Sequence, residues 1–554
     1  MFDQTKKTRD LGRPILVAIL LVLIIILAFY RLGNGEIQSW DEAMYLIRAN
    51  ACTQWQAWFD QTPYSPGGLY SSTHPPLGIW FFAFSRTLFG VSSFASRLPS
   101  ALGYLLAIVS FFVLIRRHSS VSSALLAAAS LASAQLYVWY AHHAQLDSLL
   151  MGWTLASIAL FSAGRDNKKI SPAIFGGIAF GCALLTKFAF GLTVLPFFAM
   201  YVFADKSLWK RVVLFTCIGI AIALPWYLWM QSQYPAFGFH AMQLASNGSY
   251  EMPGHYHWWY YLNQCIVSLP LLVPALMAIA FSIWENRNKI TSQLILLVPA
   301  LVWFLTTFIL LQVVETKMPH FALLLFPAAA ILIACGYEVT VSQRSSQTVI
   351  AISGILSVAW SLSEQLRLWV TARLSPSDII IPKPNLLVLL AFFAALLAAF
   401  YWLHGPSKAK LAIALGLFLV GSQIFRWTSY SGSFADDGAA QIVEKASSAG
   451  IQNITVLSKQ APHVSLIPQL TYYSQAMLSD RDSQQRWRSI DWNTGLTFGR
   501  DSLIIPYSAM IIDRKKDRLA ERSSEDSSRL SQLQILLSQS YSHILHTRSY
   551  DIYY

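Results

Sequence analysis

Charge is scarce in this chain. Only 12% of its 554 residues are Asp, Glu, Lys or Arg, about half of what a soluble protein carries. Cysteine is scarce as well: Cys52, Cys182, Cys217, Cys265 and Cys335 are scattered, mostly inside or beside apolar runs, and no C-x-x-C pair occurs. That distribution excludes a disulfide framework and a zinc ribbon. There is no internal repeat and no inverted duplication of broken helices, which argues against a secondary transporter. No small-residue cleavage site follows the first apolar run at Tyr30, and many further runs come after it, so the N-terminus does not read as a signal peptide.

What the chain has in abundance is hydrocarbon. It is 55% hydrophobic with a mean hydropathy of +0.45. The run "ILVAILLVLIIILAFY" over 15–30 is uncharged and of bilayer-spanning length, and similar runs recur to residue 427. The reading is a polytopic α-helical membrane protein of about thirteen spans. They lie near 14–31, 94–115, 120–139, 145–163, 171–186, 188–204, 211–230, 262–284, 292–313, 320–338, 347–362, 385–403 and 409–427. The short pair over 171–204, split around Lys187, also reads as one broken element.

The formal charge of +12 fits orientation and anionic lipid in such a chain rather than nucleic acid. With the N-terminus in the cytoplasm, alternate loops hold Lys6, Lys7, Arg9 and Arg13, then Arg116 and Arg117, then Arg165, Lys168 and Lys169. Lys206, Lys210, Arg211, Arg287, Lys289, Arg344, Lys408 and Lys410 continue the series, and every loop on that side is short and basic. The opposite side receives the long segments 32–93, 231–261, 364–384 and the tail from 428. In that tail "AAQIVEKASSAG" reads as an amphipathic helix stopped by Gly450, and "NITVLSK" as a strand after it. "DSLIIPYSAMII" and "YSHILHTRSYDIYY" read as further strands around a helix near 527–539. The expectation is a transmembrane unit over 1–427 and a small extracytoplasmic α/β domain over 428–554.

The first outer segment concentrates the polar residues that could carry chemistry. "SWDEAMYLIRAN" places Asp41 and Glu42 just beyond the first span, where charge next to hydrocarbon is costly. A Trp-rich amphipathic stretch follows, suited to the interface. Then "STHPPLGIWFFAFSRTLFG" sets His74 before two prolines and an apolar run too short to span, and "SRLPSALG" sets Arg97 at the mouth of the second span. Singly, each has a bland reading: a solvated acidic pair, a loop cap, an interfacial anchor.

Together these residues resemble the GT-C glycosyltransferases of the protein mannosyltransferase and aminoarabinose (lipid A) transferase type. The resemblance runs in order over 1–427 through "DEAMY", "HPPLGIW", "RLPSALG", "AHHAQLDS", "LLTKFAFG", "LPWYLW", "GHYHWWYYL" and "ETKMPHFALLLFP". It implies the GT-C fold and an inverting integral-membrane enzyme of the outer membrane surface. Such an enzyme moves a sugar from a polyprenyl-phosphate donor to lipid A, a lipid-linked saccharide or another envelope glycan, in a bacterial inner membrane with the C-terminal domain in the periplasm. The external tail favours the aminoarabinose branch.

The resemblance also assigns roles. The family's first-loop aspartate falls on Asp41, whose carboxylate would position or deprotonate the acceptor for about 10²–10⁴-fold in rate. Glu42 would support it, and Asp147 would hydrogen-bond sugar or orient a cation; read blandly, Asp147 is an ordinary acid at a helix N-terminus. The leaving phosphate calls for cationic or donor groups: Lys317 with His320 beside it, then Lys187 and Arg97, with Tyr45, His74, His255 and His257 as further donor contacts. Two departures stand out. Thr73-His74 occupies the place of a Glu-Lys pair whose lysine reaches the lipid phosphate, and Met44 that of an arginine, so the phosphate contacts and the aminoarabinose donor are not carried over. No cofactor is expected; a divalent metal on His255 and His257 with His142 and His143 is the weaker alternative. A flippase for lipid-linked sugars, a protein O-mannosyltransferase-like enzyme and a non-catalytic scaffold are the competing readings. The flippase predicts ionisable residues spread through mid-span positions, whereas here they gather at one surface.

Overall fold

The computed structural model of the chain describes residues 12–374 apart from 39–40, 66–67, 71, 165–168, 188–190, 247–257, 286–293, 315–316 and 340–342. Beyond these it describes 415–424, 438–451, 453–457, 467–478, 487–490, 508–513, 535, 537, 544–546 and 550–553. The helices are α1 (Gly12–Phe29), α2 (Asp41–Ala51), α3 (Leu77–Phe89), α4 (Ser93–His118), α5 (Val121–Ala132), α6 (Gln135–Ala141), α7 (Leu146–Ala163) and α8 (Ser171–Thr186). They continue as α9 (Leu195–Ala204), α10 (Trp209–Gln233), α11 (Phe237–Ser246), α12 (Tyr260–Ser268), α13 (Leu272–Glu285), α14 (Leu294–Val313), α15 (Phe326–Glu338) and α16 (Arg344–Leu374).

Among the described residues five helices are long and apolar enough to cross a membrane: α4, α7, α14, α10 with the turn before it, and α15 with the turn Pro319–Leu324. Two of the runs expected to be single spans are bent pairs instead. α5 and α6 meet at 64°, and α12 and α13 at 96°. Pro270 explains the second bend, since proline lacks the N–H that a continuing helix needs. At the first, the Ser133 hydroxyl donates to Ser130 O at 3.1 Å and the Ser130 hydroxyl to Leu126 O at 2.8 Å, drawing carbonyls away from the ladder. The expected span at 385–403 lies outside the described residues, and that at 409–427 is described only as the short apolar helix α17 (Leu415–Ile424).

Large apolar side chains are exposed down the outer faces of these helices, among them Leu21, Val22 and Ile25 on α1, Val109 and Val113 on α4, and Leu305 and Ile309 on α14. Water would penalise such surface and lipid does not. The chain is a multi-pass helical membrane protein.

The inner packing relies on small residues, which let helix backbones touch where hydrophobicity gives no driving force. α4 and α7 cross at Gly103 and Gly152, where a Cβ on Gly152 would stand 2.7 Å from the Gly103 carbonyl oxygen. This contact aligns the start of α7 with the first turns of α4. There the Ser100 hydroxyl donates to Gln145 O at 2.9 Å and accepts from Gln145 N at 3.0 Å. α8 packs against α10 in the same way through Gly177 and Gly181, spaced i and i+4.

Above one end of this bundle sits a second apolar cluster, formed by Ile37, Ala43, Leu46 and Ile47 around α2, Ile79 and Phe82 of α3, Leu146 and Leu149 of α7, and Tyr472. Tyr472 belongs to α19 (Ile467–Leu478), which follows α18 (Ala439–Ser448). Between and after them run β1 (Asn453–Leu457), β2 (Trp487–Ile490), β3 (Ser508–Asp513), β4 (Ile544–His546) and β5 (Tyr550–Tyr553), in the order β2-β1-β3-β5-β4. β1 pairs in parallel with β2 and β3, with α19 as the crossover to β2, while β5 is antiparallel to both β3 and β4. α18 ends before Gly450, whose φ of +68° suits a residue without a Cβ. The helix expected near 527–539 lies outside the described residues apart from Ile535 and Leu537.

Candidate active site

Asp41 and Glu42 open α2, where two acids suit the positive end of the helix. Adjacent helical positions point about 100° apart, and the two carboxylates enter different surroundings. Glu42 is 1% exposed. Its Oε1 accepts from Arg97 Nε at 2.8 Å and from Ala144 N at 2.8 Å, and its Oε2 from Gln38 N at 2.8 Å and Arg97 Nη2 at 3.2 Å. Burial alone would raise the Glu42 carboxyl, but the Arg97 guanidinium and these donors hold it below the usual carboxylate value.

Arg97 has nothing left over. Its remaining N–H groups donate to Leu32 O at 3.3 Å, Asn34 O at 2.6 Å and Glu36 O at 2.8 Å. The Glu42–Arg97 pair therefore ties the segment between α1 and α2 to α4 and to the loop before α7.

Asp41 is half-buried, and no hydrogen bond joins its carboxylate to another described residue. Burial pushes its pKa up to about 6; the Lys187 ammonium opposes that rise and the Asp147 carboxylate adds to it. The environments have pushed two neighbouring carboxylates apart, a pattern found where one of them does acid–base work. Lys187 caps the C-terminal end of α8, and its Nζ lies 3.1 Å from both carboxylate oxygens of Asp147, in the first turn of α7. Both side chains of this pair are buried.

His74 enters from the loop before α3. Its carbonyl accepts from Arg48 Nη2 at 2.7 Å, and Arg48 Nε donates to Gln61 Oε1 at 2.8 Å. The Tyr45 and His74 rings are 5.9 Å apart. Burial, with the positive charges of Lys187 and Arg48, holds His74 well below the usual imidazole value, so it is neutral at pH 7. His320, in the turn before α15, is buried within electrostatic reach of Lys187, Asp147 and His74 and packs edge-on to Tyr140 at 5.8 Å. Asp41, His74, Asp147, Lys187 and His320 thus converge from five separate stretches of chain at one end of the bundle, although sequence spacing gives no hint that Lys187 and Asp147 pair.

Lys317 stands elsewhere. Its Nζ donates to Leu311 O at 2.7 Å, Gln312 O at 3.0 Å and Val314 O at 2.7 Å, and lies 5.8 Å from the Tyr261 ring centre. Three ammonium protons on three carbonyls at the end of α14 make it a helix C-cap. His255 and His257 lie outside the described residues. Among those described, no group of three His, Cys, Asp or Glu is placed to hold a metal ion. The Nδ1 atoms of His142 and His143 sit 2.8 Å from Val138 O and Trp139 O.

Comparison with known proteins meets this geometry. The dolichyl-phosphate-mannose-protein mannosyltransferase family matches residues 73–229, which carry His74, Arg97, Asp147 and Lys187. An undecaprenyl phosphate-α-4-amino-4-deoxy-L-arabinose arabinosyl transferase from Pseudomonas fluorescens is 27% identical over 434 residues, 73% of this chain and 74% of the relative. The crystal structure of ArnT from Cupriavidus metallidurans in the apo state superposes with a TM-score of 0.65 at 16% identity, covering 98% of each chain. Its complex with undecaprenyl phosphate gives 0.65 at 15% identity over 97% of each. In fold, and in sequence over most of its length, the chain is similar to GT-C glycosyltransferases of the mannosyltransferase and aminoarabinose transferase type.

Two residues of the candidate site were invisible as candidates in the sequence. Arg48 lies seven residues after Asp41, hence on the same face of α2, and a charge at that spacing on a mostly apolar helix is the signal that could have found it. Tyr140 carries no such mark. It lines the site because the bend between α5 and α6 redirects α6, which only the fold shows.

Proposed function

We propose that this chain is a glycosyltransferase that moves a sugar from a polyprenyl-phosphate donor to a lipid-anchored envelope acceptor, with Asp41 as the general base. The acceptor hydroxyl oxygen attacks the anomeric carbon from the face opposite the phosphate. Its proton passes to Asp41, and the carbon–oxygen bond to the lipid phosphate breaks with inversion. Lys187, held by Asp147, supplies positive charge where the leaving phosphate becomes more anionic. His74 and His320 act as neutral hydrogen-bond partners for phosphate or sugar, and Tyr45 backs His74. Glu42 and Arg97 serve as the frame that sets α2, and Lys317 as the cap of α14.

The observation that carries this reading is the contrast between the two carboxylates. Glu42 is saturated with donors, while Asp41 is left with a raised pKa beside a buried lysine. The undecaprenyl-phosphate complex of the ArnT relative supports a polyprenyl-phosphate donor. The reading also places about thirteen spans in the membrane, the N-terminus in the cytoplasm, and residues 428–554 as a small α/β domain on the outer side. The basic loops support that orientation.

The test offers the purified protein in nanodiscs radiolabelled undecaprenyl-phosphate sugars with lipid A or lipid-linked saccharide acceptors. Transfer to acceptor that is lost in Asp41→Asn, with donor binding retained, is the expected result. Full transfer by that variant would refute the assignment of Asp41. Cysteines introduced over 438–451 should react with impermeant maleimide in intact cells; protection there would overturn the orientation.

A further inference from the structure

We propose that the C-terminal segment positions the base: α18 and α19 grip the chain at Glu36 and Ile37, four to five residues before Asp41, and so fix where α2 begins. This rests on the reading of Asp41 given above.

The grip is made on the N–H and the C=O of one residue and on the side chain before it. Tyr473 Oη accepts from Ile37 N at 2.9 Å, and Gln469 Nε2 donates to Ile37 O at 2.8 Å. Tyr473 and Gln469 are four apart on α19 and so share a face. The Glu36 carboxylate runs the other way, into the C-terminal segment. It accepts from Gly438 N at 3.1 Å, Ala439 N at 3.2 Å and Ala440 N at 3.0 Å, capping α18 with a full charge at its positive end. Glu36 and Ile37 are both buried, so these bonds are made away from competing water.

The far end of α2 is held by the same helix. Asn50 Nδ2 donates to Gln475 Oε1 at 2.9 Å, and the Arg86 guanidinium, bonded to Asn50 Oδ1 and Leu46 O, lies 5.3 Å from the Tyr472 ring centre. α19 is thus a splint along α2, attached before its first turn and at its last. Arg97 holds the opposite side of the same approach through Asn34 O and Glu36 O. The segment from Asn34 to Ile37 is clamped between the membrane bundle and the C-terminal segment, and Asp41 is the next acidic residue along but one position short of Glu42, the bundle's own anchor. A shift of about 1 Å in a reacting group can cost on the order of 10²-fold in rate, so a positioning element at this place acts on turnover.

The experiment uses the full chain in nanodiscs with Tyr473→Phe, Glu36→Ala and Glu36→Gln. Tyr473→Phe removes one hydroxyl acceptor, and Glu36→Ala removes the cap, whereas Glu36→Gln keeps an oxygen for the helix amides. Tyr473→Phe and Glu36→Ala should lower kcat by about 10- to 100-fold, leave the donor KM within about twofold, and move the acid limb of kcat to lower pH as Asp41 gains water. Glu36→Gln should recover most of the loss. Hydrogen exchange should quicken together at amides 438–440 and 42–46 in Glu36→Ala, a readout that does not depend on what Asp41 does. Exchange quickened at 438–440 alone, or kcat and its pH profile unchanged in both Tyr473→Phe and Glu36→Ala, would overturn the inference. If instead Asp41→Asn proves active while the two exchange signals stay linked, the assignment of the base fails and the mechanical coupling stands.

Discussion

Two isosteric changes, one residue apart, should have opposite signatures. Asp41→Asn removes a carboxylate whose pKa stands near 6 against 3.8 for an ordinary aspartate. A raised carboxyl pKa means that the folded state resists ionisation. Its cost appears as pH rises from the unfolded value through about 6 and is present in full at pH 7. At about 1.4 kcal/mol per unit, relieving it is worth up to about 3 kcal/mol to the variant. Asp41→Asn should therefore melt at the same temperature as the parent or higher, while losing about 10²–10⁴-fold in kcat. Glu42→Gln does the reverse. It leaves the buried Arg97 guanidinium without its counter-charge, a change that costs about 3–5 kcal/mol, and the variant should melt far lower. The assay is thermal melting at pH 7 in nanodiscs, beside single-turnover sugar transfer at a temperature where both variants are folded. A drop in melting temperature for Asp41→Asn as large as that for Glu42→Gln, or normal transfer by Asp41→Asn, would refute the division of labour between the two acids.

The electrostatics around Asp41 make further claims. With Asp41 as the base proposed above, transfer should rise with pH through about 6, where its carboxylate ionises. Lys187→Met withdraws the charge that favours ionisation and should move that limb to higher pH; Asp147→Asn withdraws a repelling charge and should move it lower, and kcat–pH profiles decide both signs. Lys317→Met should lower the melting temperature by loosening the end of α14, with donor binding measured by isothermal calorimetry unchanged within about twofold.

How much of this was legible in the sequence follows from what each residue depends on. The apolar runs declared the membrane because lipid imposes length and composition on every span locally. Asp41 could be singled out because a charge beside hydrocarbon needs a reason. Glu42 looked the same, since a one-residue step along a helix has no meaning until the helix is placed against its neighbours. Arg97 and Lys317 were plausible phosphate ligands by type, yet the fold spends the donors of Arg97 on Glu42 and three carbonyl oxygens and those of Lys317 on three carbonyls, and carbonyls leave no trace in a sequence. Breaks inside the runs at 120–139 and 262–284 were hidden because hydropathy averages over a bend. Pro270 was the visible clue to the second, and the serine back-bonding at the first resembles any polar residue in a span. Contacts between Glu36 and α18, separated by some four hundred residues, carry no local signature at all.

The replacements at Met44 and Thr73-His74 have a consequence for how the donor is held. Where the resemblance implies an arginine and a lysine, this chain offers a buried thioether and a histidine that burial, with Lys187 and Arg48, keeps neutral. Lys187 already shares its charge with Asp147 and faces Asp41. In the proposed site a donor phosphate meets the Asp41 and Asp147 carboxylates together with Lys187 and, on the far side of His74, Arg48, so ionised Asp41 repels the donor that protonated Asp41 accepts. By linkage, donor binding should tighten as pH falls through about 6, while turnover falls over the same range. Opposed pH dependences of Kd and kcat, centred on one group, are what an aspartate serving as base beside a phosphate site requires. Donor affinity that is flat between pH 5 and 8 would show that backbone or hydroxyl donors, not the charge on Asp41, decide how the phosphate is held.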